Sequence, residues 1–219
     1  MRLAVVSDIH ANLVAFEAVL DDMPAVDGYL CAGDVVGYGP WPAECVERVR
    51  DLGAPTIMGN HDRAVATETG FGFNSMADAG VRYASEHLSA GQVEWLRGLP
   101  NDRIEHDGRV KIVHGHPDDP DRYTYPGLFS PDMLDEEDVL IMGHTHVQAH
   151  ETYDEGILLN PGSVGQPRDQ DPRAAYSILD LDSMTVEEHR VEYDIERVID
   201  AVRDADLPAK IGKRLRNGR

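Results

Sequence analysis

The sequence predicts an α/β fold in a single domain over residues 1–219, in which two sheets pack together and helices lie outside them. Residues 2–62 alternate apolar, strand-like segments with amphipathic helices, whereas the second part of the chain consists mostly of hairpins and short strands. No linker-like stretch divides the 219 residues, and the 42% of them that are apolar can fill a substantial core. This order of elements is typical of packed sheets with helices outside.

The first part of the chain reads as β-α-β-α-β. Three apolar runs predict strands, at residues 2–8, 28–34 and 55–62. Helix start signals predict two helices between them, at residues 13–22 and 42–52. Asn12 is a plausible cap for the first helix, and Pro40 and Pro42 open the second.

The second part begins with helices and continues with strands. Two helices are predicted at residues 75–88 and 90–97, and Ser89 with Gln92 forms a capping box for the latter. Hairpins are predicted at residues 103–116, with Asp-Gly at the turn, and at 174–193. Two more strands are predicted at 139–146 and 156–163, and a last helix, capped by Asp194, at 195–204.

The charge of the chain is strongly acidic, with 20 basic against 40 acidic residues and a net charge of −20. Such a surface repels nucleic acid, so binding of an extended duplex is not expected. It suits a cytosol of high salt, where repulsion is screened, which makes a halophilic host a hypothesis. The basic segment at about 207–219 is predicted to be a helical tail that is solvated, docked onto the acidic body or in contact with a partner.

Location and cysteine usage give two further expectations. No apolar run approaches the roughly 18 residues that span a membrane, so no membrane association is expected. The N-terminus reads as a strand rather than a signal peptide, so a cytoplasmic location is expected. Cys31 and Cys45 show no CxxC spacing and are interpreted as buried free thiols.

Five predicted strands end in side chains that can bind metal. These are Asp8 with His10, then Asp34, Asn60 with His61, His114, and His144 with His146. One Asp or His after a strand is usually a turn former, but sites in α/β proteins form outside the carboxyl ends of strands, where five such endings can converge. Oxygen and imidazole ligands without thiolate suit catalytic Mn, Fe, Co, Ni or Zn. Seven of these residues, all except His61, are candidate ligands, and seven side chains serve two ions, which can activate water and stabilise in-line displacement at phosphorus.

The motifs DIH, GD, GNHD, HGH and GHTH, in this order, resemble those of the calcineurin-like metallophosphoesterase superfamily over residues 5–165. The later stretch LNPGSVGQPR is similar to the small prokaryotic phosphodiesterase branch of that family. The resemblance implies a four-layer α-β-β-α sandwich, two packed mixed sheets flanked by helices, with two divalent transition-metal ions, manganese being the first expectation. It implies Asp8, His10 and His146 on one ion, Asn60, His114 and His144 on the other, Asp34 bridging both, and His61 as a non-ligand acid that protonates the leaving oxygen.

The implied activity is hydrolysis of small phosphate esters or nucleotides by in-line attack of a metal-bound hydroxide. Ser/Thr protein phosphatases and symmetrical diadenosine tetraphosphatases carry a phosphate-binding arginine after the bridging Asp, but here the segment is GDVVGYGPWP. Diesters are therefore favoured over monoesters. The alternatives are a nucleotide pyrophosphohydrolase or protein phosphatase on the same centre, or a non-catalytic scaffold of this fold.

Three residues are candidates for contact with the substrate. Arg63 and Arg168 could replace the missing arginine, or they could be ordinary surface residues. Tyr38 lies on a Gly-rich loop and could stack on a base or simply pack. His116 and His150 are interpreted as solvent-exposed or neighbouring residues without a ligand role.

Overall fold

The structure is a computed structural model of the 219-residue chain, and it describes residues 1–68 and 72–219. Within these residues nine strands are formed: β1 (Arg2–Val6), β2 (Gly28–Cys31), β3 (Asp102–Glu105), β4 (Val110–Val113), β5 (Val139–Ile141), β6 (Ala149–Thr152), β7 (Ile157–Asn160), β8 (Ala174–Asp180) and β9 (Thr185–Val191). The helices are α1 (Leu13–Asp22), α2 (Pro42–Asp51), α3 (Asn60–Thr67), α4 (Ser75–His87), α5 (Ala90–Arg97), α6 (Ile195–Asp204) and α7 (Lys210–Lys213). Short 3-10 turns lie at Pro126–Leu128, Pro131–Met133 and Arg214–Asn217.

The strands form two mixed sheets. In the first sheet, with order β2-β1-β8-β9, β1 runs parallel to β2 and antiparallel to β8. In the second sheet, with order β3-β4-β5-β7-β6, the three central strands are parallel and each edge strand is antiparallel to its neighbour. The carboxyl ends of β4, β5 and β7 therefore open at one edge of their sheet.

The two sheets pack face to face and share one core. Leu3 and Val5 of β1 lie in an apolar cluster with residues of the second sheet, such as Ile112 of β4. The alternate residues Ala4 and Val6 point to the other face and pack with α1 and α2. Because both faces of β1 are covered, its sequence is continuously apolar rather than alternating.

The outer face of the second sheet is covered by a thinner layer. Leu140 and Leu158 pack there with Phe129, Met133 and Leu134, which belong to the segment that contains the first two 3-10 turns. The predicted class, two packed mixed sheets flanked by helices, is confirmed. The predicted caps are also confirmed, since the side chains of Asn12, Ser89 and Asp194 accept backbone hydrogen bonds at the starts of α1, α5 and α6.

The third predicted strand, at residues 55–62, is wrong. Thr56 makes only an isolated bridge to Cys31, and α3 begins at Asn60. The carboxylate of Asp62 accepts a hydrogen bond from the backbone N–H of Gly59 at 3.2 Å, which favours a helix start at this point. Strand β6 was not predicted, because its sequence, AHET, is polar and lies at the edge of its sheet.

The basic C-terminal segment docks onto the body of the protein. Ile211 and Leu215 are buried together with residues of α6 and with Tyr38. Arg216 forms an ion pair with Glu196 at 2.7 Å. Of the three options for this segment, docking is therefore the one that the structure contains. Cys31 and Cys45 are buried free thiols, as predicted.

Among the helices of the described residues, none has the length and apolar character needed to cross a membrane.

Candidate metal centre

The candidate ligands lie on the turns that follow the strands, and their backbone is unusual. Asp8, His10, Asp34, His144 and His146 all have positive φ values, between 49° and 66°. Residues with a Cβ adopt this left-handed region rarely, at a cost of roughly 1–3 kcal/mol each, and such strain concentrates at functional sites. The observed strain is therefore evidence that these turns are shaped to aim their side chains.

Three of these side chains meet in a first cluster. The Nε2 atom of His146 lies 3.1 Å from Nε2 of His10 and 3.1 Å from Oδ1 of Asp8. The opposite ring nitrogen of each histidine faces a backbone carbonyl: Nδ1 of His10 donates to Val36 at 3.2 Å, and Nδ1 of His146 donates to Gln166 at 2.6 Å. Both Nε2 atoms therefore carry lone pairs, and these point at each other and at a carboxylate.

A second cluster repeats this arrangement around His114. Its Nδ1 atom donates to the carbonyl oxygen of Ala32 at 2.7 Å, which leaves Nε2 to hold either a proton or a cation. That nitrogen lies 3.2 Å from Oδ1 of Asn60 and 3.3 Å from Oδ2 of Asp34. The Nε2 atom of His144 donates to the carbonyl oxygen of Asp121 at 3.2 Å, so its Nδ1 atom carries the lone pair.

Asp34 lies between the two clusters. Its Oδ2 atom is 3.7 Å from Nε2 of His10 in the first cluster and 3.3 Å from Nε2 of His114 in the second. Its Oδ1 atom accepts a hydrogen bond from the backbone N–H of His61 at 2.8 Å. The carboxylate is held in place by this bond while its other oxygen faces both clusters.

The donor set fits metal ions. Acceptor atoms face one another at 3.1–3.7 Å, and Oδ1 of Asp8 receives no hydrogen bond from any described residue. Buried acceptors that face each other repel unless a cation or a proton lies between them. Donation of the second ring N–H to a carbonyl is the usual way in which metal-ligating histidines are oriented. The candidate ligand atoms include two compact groups, Asp8 with His10 and His146, and Asp34 with His114 and His144.

The protonation states suit such a role. Burial raises the pKa of Asp8 and of Asp34, but the imidazoles of His146 and His114, respectively, outweigh it and hold both carboxyl pKa values below their usual range. Burial lowers the pKa of the His144 imidazole to about 4. Carboxylates are thus ionised and this histidine is neutral at neutral pH, as metal binding requires.

His114 behaves differently. Burial lowers its pKa, but the Asp34 carboxylate outweighs this effect and raises the pKa to about 10. In the protein without a cation, a proton would therefore lie between these two side chains. A cation that binds there takes the place of that proton.

His61 lies beside both clusters. Its ring centroid is 4.8 Å from that of His10, and the ring stacks on Phe73 at 4.7 Å. Burial lowers its pKa to about 4, and its Nδ1 atom has no hydrogen-bond partner in the described part of the chain. A third compact group of possible ligand atoms joins His61 with His10 and Asp34, so its position suits either a ligand or a group that contacts the substrate.

A family model described as the calcineurin-like phosphoesterase superfamily domain matches residues 1–184 of the chain. The chain belongs to this superfamily. The resemblance drawn from the five motifs is confirmed, and so is the predicted enzyme class, a metal-dependent phosphoric ester hydrolase.

Individual relatives of this phosphoesterase cover 85–100% of the chain. It is 38% identical to a metallophosphoesterase from Sphaerobacter thermophilus, with a TM-score of 0.88 over 100% of this chain and 99% of that one. It is 35% identical to an uncharacterized protein of Methanocaldococcus jannaschii, over 99% of this chain and 98% of the relative. It is 28% identical to the phosphodiesterase YfcE of Escherichia coli, over 85% and 91% of the two chains.

A pocket opens over the two clusters of this phosphoesterase. Its lining includes members of both clusters together with His61, Tyr38, Phe73, Tyr123 and Arg168. Nη2 of Arg168 donates to Oε1 of Gln166 at 2.8 Å and lies 3.4 Å from the hydroxyl of Tyr38, whereas its Nε atom has no partner among the residues described. The pocket lining therefore includes an arginine whose Nε N–H has no acceptor among the described residues.

The other two substrate candidates are placed differently. Arg63 is not one of the lining residues, and its guanidinium is bound to both carboxylate oxygens of Asp121, the longer contact being 2.7 Å. Tyr38 lines the pocket but is only 5% exposed, and its ring packs against those of His10 and His61. Tyr38 therefore offers a substrate its hydroxyl rather than a free ring face.

The two histidines without an assigned role lie outside both clusters. Nδ1 of His150 is 2.7 Å from Oε1 of Glu188, across the sandwich edge. Nδ1 of His116 accepts the backbone N–H of Asp118 at 3.1 Å. Neither is in any of the compact groups of possible metal ligands.

Three contributors were not predicted. Asn160 is fully buried, and its Nδ2 atom donates to the carbonyl of Gly143 at 2.7 Å, which fixes the turn that carries His144. Its position at the end of an apolar strand is similar to that of the other endings and could have been recognised. Tyr123 stacks on His144 at 4.0 Å, and Phe73 stacks on His61. Both lie outside regular elements, where the sequence carries no periodic signal.

Proposed function

We propose that this phosphoesterase is a dinuclear enzyme that hydrolyses small phosphodiesters. One divalent transition-metal ion would be held by Asp8, His10 and His146, the other by Asn60, His114 and His144, with Asp34 bridging them. Bound there, the two ions would activate a water molecule and stabilise charge on the phosphoryl oxygens. Manganese is the first candidate, and Fe, Co, Ni and Zn suit the same ligands.

The observation that carries this proposal is the convergence of lone pairs. Four imidazoles each donate one N–H to a backbone carbonyl and direct the other nitrogen into the same space as two carboxylates. Apart from the proton that His114 shares with Asp34, these atoms are acceptors that face one another, and cations would satisfy them. The division of these acceptors into two groups around Asp34 supports two ions rather than one.

His61 and Arg168 supply the groups that act on the substrate. His61 offers a ring nitrogen without a partner among the described residues beside the clusters, where the N–H of its imidazole can donate a hydrogen bond to the leaving oxygen. Arg168 offers the unpaired N–H of its Nε atom to a phosphoryl oxygen. Its remaining contacts to Gln166 and Tyr38 hold the guanidinium in place.

The charges around the pocket favour a diester over a monoester. Arg168 is the arginine in the lining, and Arg63 is already neutralised by Asp121. A phosphodiester carries one negative charge, whereas a monoester at neutral pH carries nearly two and needs more compensation. The name of the Escherichia coli relative, a phosphodiesterase, agrees with this preference.

The test is a substrate panel on protein that has been stripped of metal and reconstituted with each candidate ion. We expect turnover of bis-p-nitrophenyl phosphate to exceed that of p-nitrophenyl phosphate in kcat/KM, and both activities to vanish with a chelator. Absence of turnover with every ion and on both esters would instead favour a non-catalytic scaffold. A preference for the monoester would contradict the diester assignment alone.

The two arginines give a matched pair of variants for the same assay. Arg168→Ala should raise KM by roughly 10- to 150-fold, since hydrogen bonds to charged groups contribute about 1.5–3 kcal/mol. Arg63→Ala should have a smaller effect, because its guanidinium is engaged by Asp121. A larger effect at Arg63 would show that the phosphate lies on the other side of the pocket.

A further inference from the structure

The pocket over the two clusters is too small for a whole nucleotide. Its cavity volume is about 90 Å³, whereas sites that enclose a complete ligand measure roughly 300–1,000 Å³. A phosphoryl group fits, since about 10–15 Å³ of such cavity volume already holds a water molecule. The remainder of any larger ester must therefore lie on the rim, and the rim determines which esters are preferred.

Part of that rim is a row of aromatic rings. Tyr123 stacks on the candidate ligand His144, with ring centroids 4.0 Å apart and planes inclined by 26°. Tyr125 follows, nearly parallel to Tyr123 at 13° and with a centroid distance of 6.1 Å. The three rings form a stepped row that leads from the second cluster to the surface.

The rings of Tyr123 and Tyr125 are not buried in the apolar core. Tyr123 is 47% exposed and Tyr125 is 48% exposed, although large aromatic side chains are usually well covered. Tyr123 also belongs to the pocket lining together with Arg168, the residue that offers a donor to phosphate. A flat apolar surface thus begins where the phosphate pocket ends.

We propose that Tyr123 and Tyr125 form a nucleoside subsite, on which the base of a nucleoside phosphodiester stacks while its phosphate occupies the pocket. This inference rests on the proposed function. A planar base suits the row because nearly parallel rings present flat faces, and stacking is tolerant of base identity. Continuity with the pocket favours a part of the substrate over an unrelated partner as the occupant.

The test compares two esters that share a p-nitrophenolate leaving group and a single negative charge. One is the p-nitrophenyl ester of thymidine 5′-phosphate, and the other is methyl p-nitrophenyl phosphate. Stacking on an aromatic side chain contributes about 1–3 kcal/mol per base, so Tyr125→Ala should lower the kcat/KM ratio of the thymidine ester to the methyl ester by about 5- to 150-fold. Tyr125→Phe keeps the ring and should retain the ratio.

Leu128→Ala is the matched control. Leu128 is 54% exposed, lies in the same segment and has no aromatic ring, so its variant should keep the wild-type ratio. Calorimetric binding of thymidine 5′-phosphate and of methyl phosphate to the metal-loaded protein gives a second readout. The thymidine compound should bind more tightly, and Tyr125→Ala should remove most of that difference.

These readouts separate the two proposals. If neither ester turns over but the binding preference depends on Tyr125, the hydrolase function fails and the subsite stands. If the ratio and the binding preference are the same in Tyr125→Ala and in the wild type, the subsite is overturned. The subsite is also overturned if Tyr125→Ala changes only the oligomeric state measured by light scattering. The exposed rings would then form a contact between copies of the chain.

Discussion

Replacement of Gly143 by alanine tests whether the turn after β5 is shaped to place the ligands. A Cβ atom at this position would lie 2.2 Å from Oγ of Ser7 and 2.9 Å from Oδ2 of Asp8. The distance to Oγ of Ser7 is about 1.2 Å shorter than 3.4 Å, the distance at which ordinary van der Waals contacts begin. The same Oδ2 atom accepts hydrogen bonds from Oγ of Ser7 at 2.7 Å and from the backbone N–H of His144 at 3.1 Å. The added methyl group therefore pushes directly on a network that holds one candidate ligand from each cluster.

The expected size follows from this geometry. Forcing an extra carbon into a packed site costs typically 1–3 kcal/mol, so Gly143→Ala should lower the free energy of unfolding by about that amount. A displacement of about 1 Å at a reacting centre reduces activity on the order of 10²-fold. We expect fewer bound metal ions per chain by elemental analysis, and a matching loss of kcat on the diester. Urea unfolding of the apo protein measures the stability change without any contribution from metal.

Gly91→Ala is the matched control for this experiment. A Cβ at Gly91 would meet no atom within 4 Å, and this residue lies in α5 with an ordinary helical φ. Alanine there should leave metal content and activity as in the wild type and stabilise the protein by roughly 0.5–1 kcal/mol. If Gly143→Ala behaved like Gly91→Ala in metal content and activity, the close approach of this turn to Asp8 would not matter for the site.

Four further outcomes are expected. Asp34→Asn should lose both metal ions and all turnover, since its carboxylate faces both clusters; retention of two ions by elemental analysis would contradict the bridging role. His61→Ala should keep both ions and slow kcat by roughly 10²–10⁴, whereas loss of an ion would make His61 a ligand. Burial raises the pKa of the Cys31 thiol to about 12 and that of Cys45 well above its usual value, so neither should react with a thiol reagent at neutral pH until the protein is unfolded. The free energy of unfolding should rise between low and multimolar potassium chloride, because salt screens the repulsion among 40 acidic residues; equal stability in both would count against a halophilic protein.

The sequence carried a strong local signal for the strand endings. A buried strand followed within three residues by Asp or His changes abruptly from apolar to polar, and this holds for Asp8, Asp34, His114 and His144. Because strands in an α/β fold deliver their ends to shared edges, the convergence of these residues could be expected without knowing the sheet order. The position of Asn60 was also expected, although the strand before it was not formed. The start of α3 lies where that strand would have ended.

Other parts of the site could not be read from the chain. The orientation of each imidazole depends on a carbonyl, such as that of Val36 or Gln166, and carbonyls are common to all residues. Tyr123 reaches His144 from a segment without regular periodicity, so its approach is decided by the path of the backbone between β4 and β5. Docking of the C-terminal segment onto Tyr38 involves residues far apart in sequence and needs the tertiary structure.

The ligand composition explains how a strongly acidic protein can act on an anion. With metal bound in place of the His114 proton, only Asp8 and Asp34 among the seven candidate ligands would carry charge, because four are imidazoles and Asn60 is an amide. Two divalent ions would bring a charge of +4 against −2 from the carboxylates, which leaves the proposed centre at about +2. The whole chain carries a net charge of −20 and repels an anionic ester at long range. That repulsion is screened within about 3 Å at 1 M salt, whereas attraction inside a buried pocket is screened far less. Neutral ligands around the ions therefore suit an acidic surface, since they would leave a net positive charge at the place where the phosphate must bind.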